Sequence, residues 1–338
     1  MSIVIIEWNV SCIWNGTLAG ILMKSSESKR DESSLTTKII GIHGWLDNLN
    51  SLLPLAKQLL HRHPNYEFYL YDRAGHGFSS HLPKGFDYSA IQNAQDLRTV
   101  VQSLGWNKEK FSIIGHSYGA ILGIIVSSMK ICIELALTCV YCEQYAASYP
   151  EEVSCVVAID ALLRASVPVN SYWKTMASNI DKDLKFFVDL TKSYPEELTF
   201  DKAVESIQSN RPGITNEAAR LLTERSVRRN ANNQFYFTRD EALKRLPMFP
   251  YTEDIFQNAM ESMKAFILFI GAIKPQWHNA SLAVSLYKQY YPHFEITYID
   301  GPHHFHMTQV NEVVERIEQY FNKYLHHSSI STIENSKL

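Results

Sequence analysis

The chain has 338 residues, of which 46% are hydrophobic and 20% are charged, so it can bury the core of an ordinary globular protein and is not disordered by composition. Its formal net charge of −3 provides no basic field for nucleic acid or anionic lipid, and neither partner is expected. The length favours one core that carries a large insertion.

The cysteines and the apolar stretches indicate the compartment. The five cysteines are odd in number and lack paired metal-ligand spacing, which predicts a reducing compartment and no metal site. They are Cys12, Cys132, Cys139, Cys142 and Cys155. Glu7 interrupts the apolar start of the chain, which has no basic segment, so no signal peptide is predicted. Lys130 and Glu134 lie within the longest apolar stretch, Ile121 to Val140, so we expect a soluble protein without a membrane span.

Short apolar runs bounded by glycine or polar turns predict buried strands. They are Lys38 to Ile42, Glu67 to Tyr71, Phe111 to Ile114, Val153 to Ile159, Ala265 to Ile270 and Glu295 to Ile299. Helical segments lie between most of them. This alternation favours an α/β fold, with a mostly parallel sheet covered by helices on both faces and functional groups at the carboxyl ends of the strands.

A long segment between two of these strands has a different character. From Ala161 to Gln257 the strand signal disappears, and the sequence becomes helix-like with a break at Arg211-Pro212-Gly213. We predict a helical cap over residues 161–257, inserted into a core of residues 1–160 and 258–325 and followed by a flexible tail over residues 326–338. Lys24 to Lys38 is rich in Ser, Lys, Glu and Thr and is predicted to be a solvated surface loop.

The sequence Gly115-His116-Ser117-Tyr118-Gly119 carries the clearest chemical signal. A serine hydroxyl is a poor nucleophile unless a base takes its proton and a sharp strand-to-helix turn exposes its oxygen. A predicted strand precedes this motif and a helix-like run follows it, so the motif stands in the context that it requires. We predict Ser117 as the nucleophile; the alternative is a glycine-rich turn with an idle serine.

Acyl transfer also requires donors for the developing oxyanion, and backbone N–H groups supply them in this architecture. Tyr118, directly after the nucleophile, is predicted to give the first. His43-Gly44-Trp45 follows the first predicted strand, where Gly44 allows a close turn, so the Trp45 amide is predicted to give the second. The Trp45 side chain need only be a packing residue.

A general base is expected in the loop after the last strand, Asp300 to Met307, because it must follow the nucleophile in the chain. This loop contains His303, His304 and His306. The Gly-x-His arrangement favours His303 as the base, with His304 as the alternative. The three histidines could also indicate a metal, but no acidic or cysteine partner stands among them.

The third member of the predicted triad is a carboxylate that orients the imidazole. The strand Ala265 to Ile270 is followed by Gly271 to Trp277, which contains no carboxylate, whereas Val153 to Ile159 ends directly in Asp160. Asp160 is therefore the predicted acid. An aspartate at a strand end can instead cap the following helix.

Together these residues resemble the serine hydrolase-like protein family, which includes kraken, within the α/β-hydrolase superfamily. The matching pieces cover nearly the whole chain and are His43 to Asn48, Asp72 to Ser80, the turn around Ser117, Phe237 to Asp240, and Gly301 to Met307. The resemblance implies an α/β-hydrolase fold, serine hydrolase activity, a helical lid, and vesicular or peroxisomal residence. It implies no particular physiological substrate.

One departure from this pattern concerns spacing. Asp160 lies 43 residues after Ser117, whereas a helix, a short loop and a strand need about 25. The expected insert is Met129 to Gln144, which contains three of the five cysteines and suggests a retained intron or splice variant. Such an insert would be expected to displace Asp160 from its position beside the base.

Two functions are therefore considered. The first is a serine hydrolase that needs no cofactor or metal and cleaves a small-molecule carboxylic ester or thioester through an acyl-enzyme. The second is a non-catalytic, ligand-binding member of the same fold, because a fold does not fix a function. Dehalogenase or epoxide hydrolase chemistry is disfavoured, because similar folds use an aspartate for it where Ser117 stands.

The final tripeptide predicts a location. Ser336-Lys337-Leu338 is a peroxisomal import signal when it stands free at a C-terminus, and a polar stretch precedes it. We expect an interaction with the peroxisomal import receptor. The alternative is a chance ending of a disordered tail in a cytoplasmic protein.

Overall fold

A central β-sheet organises the computed structural model, which describes residues 2–26, 36–120, 149–162, 172–190, 198–244, 253–273 and 280–326. The strands are β1 (Ile3–Glu7), β2 (Val10–Ser11), β3 (Thr17–Leu18), β4 (Gly20–Ser25), β5 (Thr37–Ile42), β6 (Tyr66–Tyr71), β7 (Phe111–His116), β8 (Val153–Ile159), β9 (Val227–Arg229), β10 (Phe235–Phe237), β11 (Phe266–Ala272) and β12 (Phe294–Ile299). Eight of them form one sheet in the order β1-β4-β6-β5-β7-β8-β11-β12.

Helices connect these strands. They are α1 (Leu53–Arg62), α2 (Ala90–Ser103), α3 (Tyr172–Leu190), α4 (Phe200–Ser209), α5 (Asn216–Ser226), α6 (Glu253–Ser262), α7 (Ala280–Tyr290), α8 (Phe305–Thr308) and α9 (Val310–Phe321), with 3-10 turns at Leu49–Ser51, Trp106–Lys108 and Glu241–Lys244 and a π-helical turn at Asn322–His326. None of the described helices is long and apolar enough to cross a bilayer.

The sheet is parallel over most of its width. The five neighbouring pairs β6-β5, β5-β7, β7-β8, β8-β11 and β11-β12 are parallel. The pairs β1-β4 and β4-β6 at one edge are antiparallel. The six predicted strands correspond to β5, β6, β7, β8, β11 and β12. The predicted α/β fold is therefore confirmed.

The antiparallel edge was not predicted. The sequence Ile3–Glu7 forms β1, which pairs with β4, and four of its five residues are exposed. The prediction of a surface loop from Lys24 to Lys38 is wrong at its ends, because Lys24 lies in β4 and Lys38 in β5. Residues 27–35 of this loop lie outside the described residues.

The core lies on both faces of the sheet. Ile39 and Ile40 are neighbours in β5 and are both fully buried, yet they belong to different hydrophobic clusters because successive strand residues point to opposite faces. Val313 and Ile317 of α9 cover one face. Burial of such a side chain contributes about 1.5–3 kcal/mol, so the strands that carry the site rest on a rigid support.

The described part of the predicted cap consists mainly of helices. Helices α4 and α5 begin at threonine N-caps and pack through a separate apolar cluster that includes Ile207 and Leu222. Between them, Gly213 has φ +84°, a conformation that glycine adopts without strain, at the predicted helix break. The short hairpin of β9 and β10 was not expected in a segment predicted to be helical. The cap boundaries stay a prediction.

Two predicted segments cannot be compared with the structure. The insert Met129 to Gln144 and the tripeptide Ser336-Lys337-Leu338 both lie outside the described residues. Of the cysteines, Cys12 and Cys155 are described, and both are buried free thiols.

Candidate active site

The serine lies in a sharp turn at the carboxyl end of β7. Ser117 has φ +52° and donates its N–H to the Ile159 carbonyl oxygen at 2.9 Å, and residues 118–120 are helical. A Cβ on Gly115 would lie 2.4 Å from the Gly119 carbonyl oxygen, and one on Gly119 would lie 2.1 Å from the Ile42 carbonyl oxygen. Both flanking positions therefore require glycine, and the strained turn holds Ser117 clear of its own strand.

Asp160 and His303 form a close polar contact at this edge of the sheet. His303 Nδ1 lies 2.6 Å from Asp160 Oδ2, and Asp160 is fully buried. The other carboxylate oxygen accepts the Ala272 N–H at 2.8 Å, while the Asp160 N–H donates to the Ile270 carbonyl at 2.8 Å. Because a carboxylate can only accept, Nδ1 of His303 carries the proton and Nε2 is left as a base.

The other two histidines of this loop have different partners. His304 Nε2 lies 3.1 Å from Asp47 Oδ2, and His306 Nε2 lies 2.8 Å from Ser51 Oγ. Both side chains are buried, whereas the His303 side chain is 23% exposed. The structure thus brings His303, and not His304, to Asp160.

The loop after β5 passes directly beside the serine. A Cβ on Gly44 would lie 3.3 Å from Ser117 Cβ, so glycine permits this approach. The rings of Trp45 and Tyr118 lie 4.9 Å apart, and Trp45 Nε1 donates to the Leu243 carbonyl at 2.7 Å. The predicted oxyanion residues therefore adjoin each other, and the Trp45 side chain anchors the loop to the predicted cap.

This loop, defined as residues 43–48 and called the oxyanion loop below, is strained at Leu46. Leu46 has φ +61°, which costs a non-glycine residue about 1–3 kcal/mol. Its N–H donates to His76 Nε2 at 3.2 Å, and its carbonyl accepts from Arg211 Nη2 at 2.7 Å. A core histidine and a cap arginine therefore hold the strained residue from both sides.

Asp47 joins three parts of the molecule. Its Oδ1 accepts from Arg211 Nε at 2.9 Å. Its Oδ2 contacts His304 in residues 300–307, which we call the base loop. Burial alone would raise the pKa of Asp47, but Arg211 and His304 hold it well below its usual range. Asp47 is therefore an ionised carboxylate between the oxyanion loop, the base loop and the cap.

Two neutral histidines support the same loop. His43 Nδ1 donates to the Gly44 carbonyl at 2.7 Å, and His43 Nε2 accepts the Arg73 N–H at 3.0 Å. Burial, reinforced by the Arg73 charge, lowers the pKa of His43 to about 3 and the pKa of His76 well below its usual value. Because each Nε2 must accept a backbone N–H, both imidazoles serve as supports only when neutral.

Within the described residues, Asp47, His116 and His304 are the one group with metal-ligand character, with donor atoms all within 4.8 Å of one another. Two imidazoles and a carboxylate suit zinc. However, Asp47 Oδ1 is already paired with the Arg211 guanidinium, and Asp47 Oδ2 lies 3.1 Å from His304 Nε2. We interpret the group as a hydrogen-bonded support.

Sequence reasoning did not identify this support. Asp47 lies in one of the pieces that carry the family resemblance, but its partners Arg211 and His304 are 164 and 257 residues away. In the sequence His116 stands out only as part of the serine turn, whereas in the structure its Nε2 donates to the His303 carbonyl at 3.0 Å. It therefore ties the base loop to the residue before Ser117.

A sequence model described as the alpha/beta hydrolase family matches residues 39–316 of the chain. The chain belongs to this family. The matched region includes the serine turn, the Asp160 and His303 pair, and the described part of the predicted cap.

The chain is also similar to proteins named as serine hydrolases. A serine hydrolase-like protein of Danio rerio is 27% identical over 294 residues, covering 83% of this chain and 80% of the relative. A probable serine hydrolase of Drosophila melanogaster is 25% identical over 305 residues, with coverages of 84% and 81%. The resemblance to serine hydrolase-like proteins is therefore confirmed, and the chain is a hydrolase by family.

Solved structures agree on the fold. A hypothetical protein of Pseudomonas aeruginosa PAO1 has a TM-score of 0.73 at 25% identity, covering 93% of this chain and 98% of its own. The thioesterase domain of the curacin biosynthetic pathway has a TM-score of 0.68 at 14% identity, with coverages of 93% and 99%. At that identity the second similarity establishes the fold alone.

Proposed function

We propose that this protein is a serine hydrolase that cleaves a carboxylic ester or thioester through an acyl-enzyme intermediate. The observation that carries the proposal is the 2.6 Å contact between His303 Nδ1 and buried Asp160, in a loop tied to the residue before Ser117. This pairing leaves His303 Nε2 free of the carboxylate and able to accept a proton.

In the proposed first half-reaction, His303 Nε2 takes the proton of Ser117 Oγ while the oxygen attacks the carbonyl carbon of the substrate. The backbone N–H groups of Trp45 and Tyr118 stabilise the oxyanion that forms. The C–O or C–S bond then breaks, the leaving group takes the proton from His303, and the acyl group remains on Ser117.

In the second half-reaction, His303 removes a proton from water, which attacks the acyl carbon. Collapse of this second tetrahedral intermediate releases the acid and returns the proton to Ser117. Asp160 accepts the hydrogen bond from His303 Nδ1 and stabilises the imidazolium that forms on His303. No step requires a cofactor.

An ester panel with Ser117→Ala tests the proposal. We expect the wild type to hydrolyse 4-nitrophenyl esters or acyl thioesters and Ser117→Ala to lose this turnover. Ser209→Ala is the matched control, because Ser209 is exposed and bonds only within its own helix. Stabilisation by esters without turnover would instead support the non-catalytic alternative.

A further inference from the structure

Arg239 is held by fixed neighbours on both sides. The Thr238 N–H donates to the Ser226 carbonyl at 2.8 Å, and the Asp240 N–H donates to the Gly75 carbonyl at 2.8 Å. The Asp240 carboxylate accepts from Tyr88 Oη at 2.6 Å. The backbone at Arg239 is therefore anchored to helix α5 and to the core.

Among the residues that the structure describes, no carboxylate forms a salt bridge or a hydrogen bond with the Arg239 side chain, although the Glu241 charge acts on it. Its guanidinium lies 4.6 Å from the centroid of the Phe237 ring, and its Nε is buried without a hydrogen-bond acceptor. The nearby carboxylate of Glu241 is paired with Lys244. Arg239 is thus a partly buried cation that lacks a salt-bridge partner within the described part of the chain.

Three of the other arginines in the described part of the predicted cap are paired with carboxylates. Arg211 bonds Asp47, Arg220 bonds Asp201, and Arg225 bonds Asp72. Removing a guanidinium from water is costly unless an acceptor replaces the water, so an enclosed N–H without an acceptor needs an explanation. An anionic ligand would provide one.

The surroundings of Arg239 place it beside the candidate active site. Burial lowers the pKa of Arg239; the Glu241 charge opposes this lowering, and the Arg211 charge adds to it. Arg211 bonds the Leu46 carbonyl in the oxyanion loop. Four residues after Arg239, the Leu243 carbonyl accepts from the Trp45 side chain. Arg239 therefore belongs to the part of the cap that meets the oxyanion loop.

We propose that Arg239 binds an oxyanion group of the substrate, either a carboxylate on the acyl chain or a phosphate on the leaving group. This inference rests on the proposed function and deepens it, because it assigns an anionic class of ester or thioester. A planar guanidinium donates two parallel hydrogen bonds to such a group and gives orientation as well as attraction.

Matched substrate pairs test the inference. The acyl arm compares the 4-nitrophenyl monoester of adipate with 4-nitrophenyl hexanoate, which has the same chain length without the charge. The leaving-group arm compares butyryl-coenzyme A with the butyryl thioester of N-acetylcysteamine. In at least one arm we expect Arg239→Gln to lower kcat/KM for the anionic substrate about 10- to 100-fold, with little change for its neutral counterpart.

Control variants separate recognition from structure. Arg220→Gln changes an exposed arginine that is paired with Asp201 and should leave both substrate ratios unchanged. Arg239→Lys keeps the charge and should retain part of the preference. If Arg239→Gln lowers turnover of charged and neutral substrates equally in both arms, Arg239 is a structural residue and the inference is wrong.

A binding measurement distinguishes failure of the inference about Arg239 from failure of the proposed hydrolase function. If the wild type hydrolyses no ester, the proposed function fails, and thermal stabilisation by adipate and by inorganic phosphate decides the role of Arg239. Stabilisation that is lost in Arg239→Gln and kept in Arg220→Gln supports an oxyanion site. The absence of stabilisation in the wild type, or its persistence in Arg239→Gln, overturns it.

Discussion

Arg211 donates to the carbonyl of Leu46 at 2.7 Å, and Leu46 is the residue that carries the oxyanion loop through a left-handed conformation. Such a conformation persists only where the surroundings over-determine it. The position of Arg211 in the predicted cap therefore affects the position of the neighbouring Trp45 amide, the proposed oxyanion donor.

Arg211→Gln should release this strain and displace the Trp45 amide. We expect kcat for ester hydrolysis to fall about 10-fold or more, because oxyanion donors act chiefly in the transition state. Arg220→Gln, which alters an exposed arginine paired with Asp201, should be close to wild type.

Leu46→Gly provides a second test of the same relationship, because glycine adopts positive φ without strain. In the Arg211→Gln background it should restore part of the lost rate. If the effect on kcat of the double variant equals the sum of the effects of the two single variants in free energy, Arg211 does not act through the strain at Leu46.

Asp160→Asn should preserve the fold and lower kcat by about 10⁴-fold. An amide can donate to His303 Nδ1 and so stabilise the tautomer that cannot act as the base. Circular dichroism checks the fold, and steady-state kinetics measure the loss. Asp300→Asn is a suitable control, since Asp300 is exposed near the same loop. Near-normal turnover of Asp160→Asn would place the acid elsewhere.

The protein should lose stability as the pH falls below about 6.5, which is the pKa of an unperturbed histidine side chain. Burial lowers the pKa of His43 to about 3 and that of His116 to about 4, and it lowers those of His76 and His306 well below the usual range. As pH falls, the unfolded chain takes up protons that the native state excludes, so the free energy of unfolding decreases. Asp96 and Asp72, whose pKa values burial raises, oppose this trend.

His306→Gln isolates one of these contributions. Glutamine offers an amide near the position of the Nε2 that contacts Ser51 and does not titrate. Urea unfolding between pH 7 and pH 5 should show a pH slope up to about 1.4 kcal/mol per unit shallower than that of the wild type. If the pH slope of the variant equals that of the wild type, the conclusion that His306 stays neutral in the native protein would be contradicted.

Peroxisomal residence stays a proposal that rests on Ser336-Lys337-Leu338. A fusion with a fluorescent protein at the N-terminus, which leaves Leu338 free, should be punctate and coincide with a peroxisomal marker. The same fusion with Leu338 deleted is the control and should be diffuse. Diffuse fluorescence from both fusions would refute the proposal.

The sequence predicted the parts of the fold whose signals are local. The parallel strands are apolar and bounded by turn residues, and the serine motif requires its two glycines because of backbone contacts within the turn and with the end of β5. The hairpin of β9 and β10 was not predicted, because each strand has only three residues. Strand β1 was not predicted, because four of its five residues are exposed and it lacks the burial signal of the central strands.

The Gly-x-His arrangement favours His303 as the base, but the partners of His304 and His306 could not be predicted because they lie more than 250 residues away in the sequence. Packing decides between them: His303 reaches Asp160, whereas His304 is buried against Asp47. The surplus of residues before Asp160 suggested a displaced acid, yet the contact with His303 is 2.6 Å. The role of Met129 to Gln144 stays a prediction, testable by deletion of the segment.

The central claim is that Ser117 is the nucleophile and that His303 activates it. Reaction with a fluorophosphonate probe, followed by peptide mass spectrometry, tests it most directly. We expect one adduct on Ser117 in the wild type, no adduct in Ser117→Ala, and far slower labelling in His303→Ala than in His304→Ala. Unchanged labelling of Ser117→Ala, or labelling that depends on His304 and not on His303, would contradict the account.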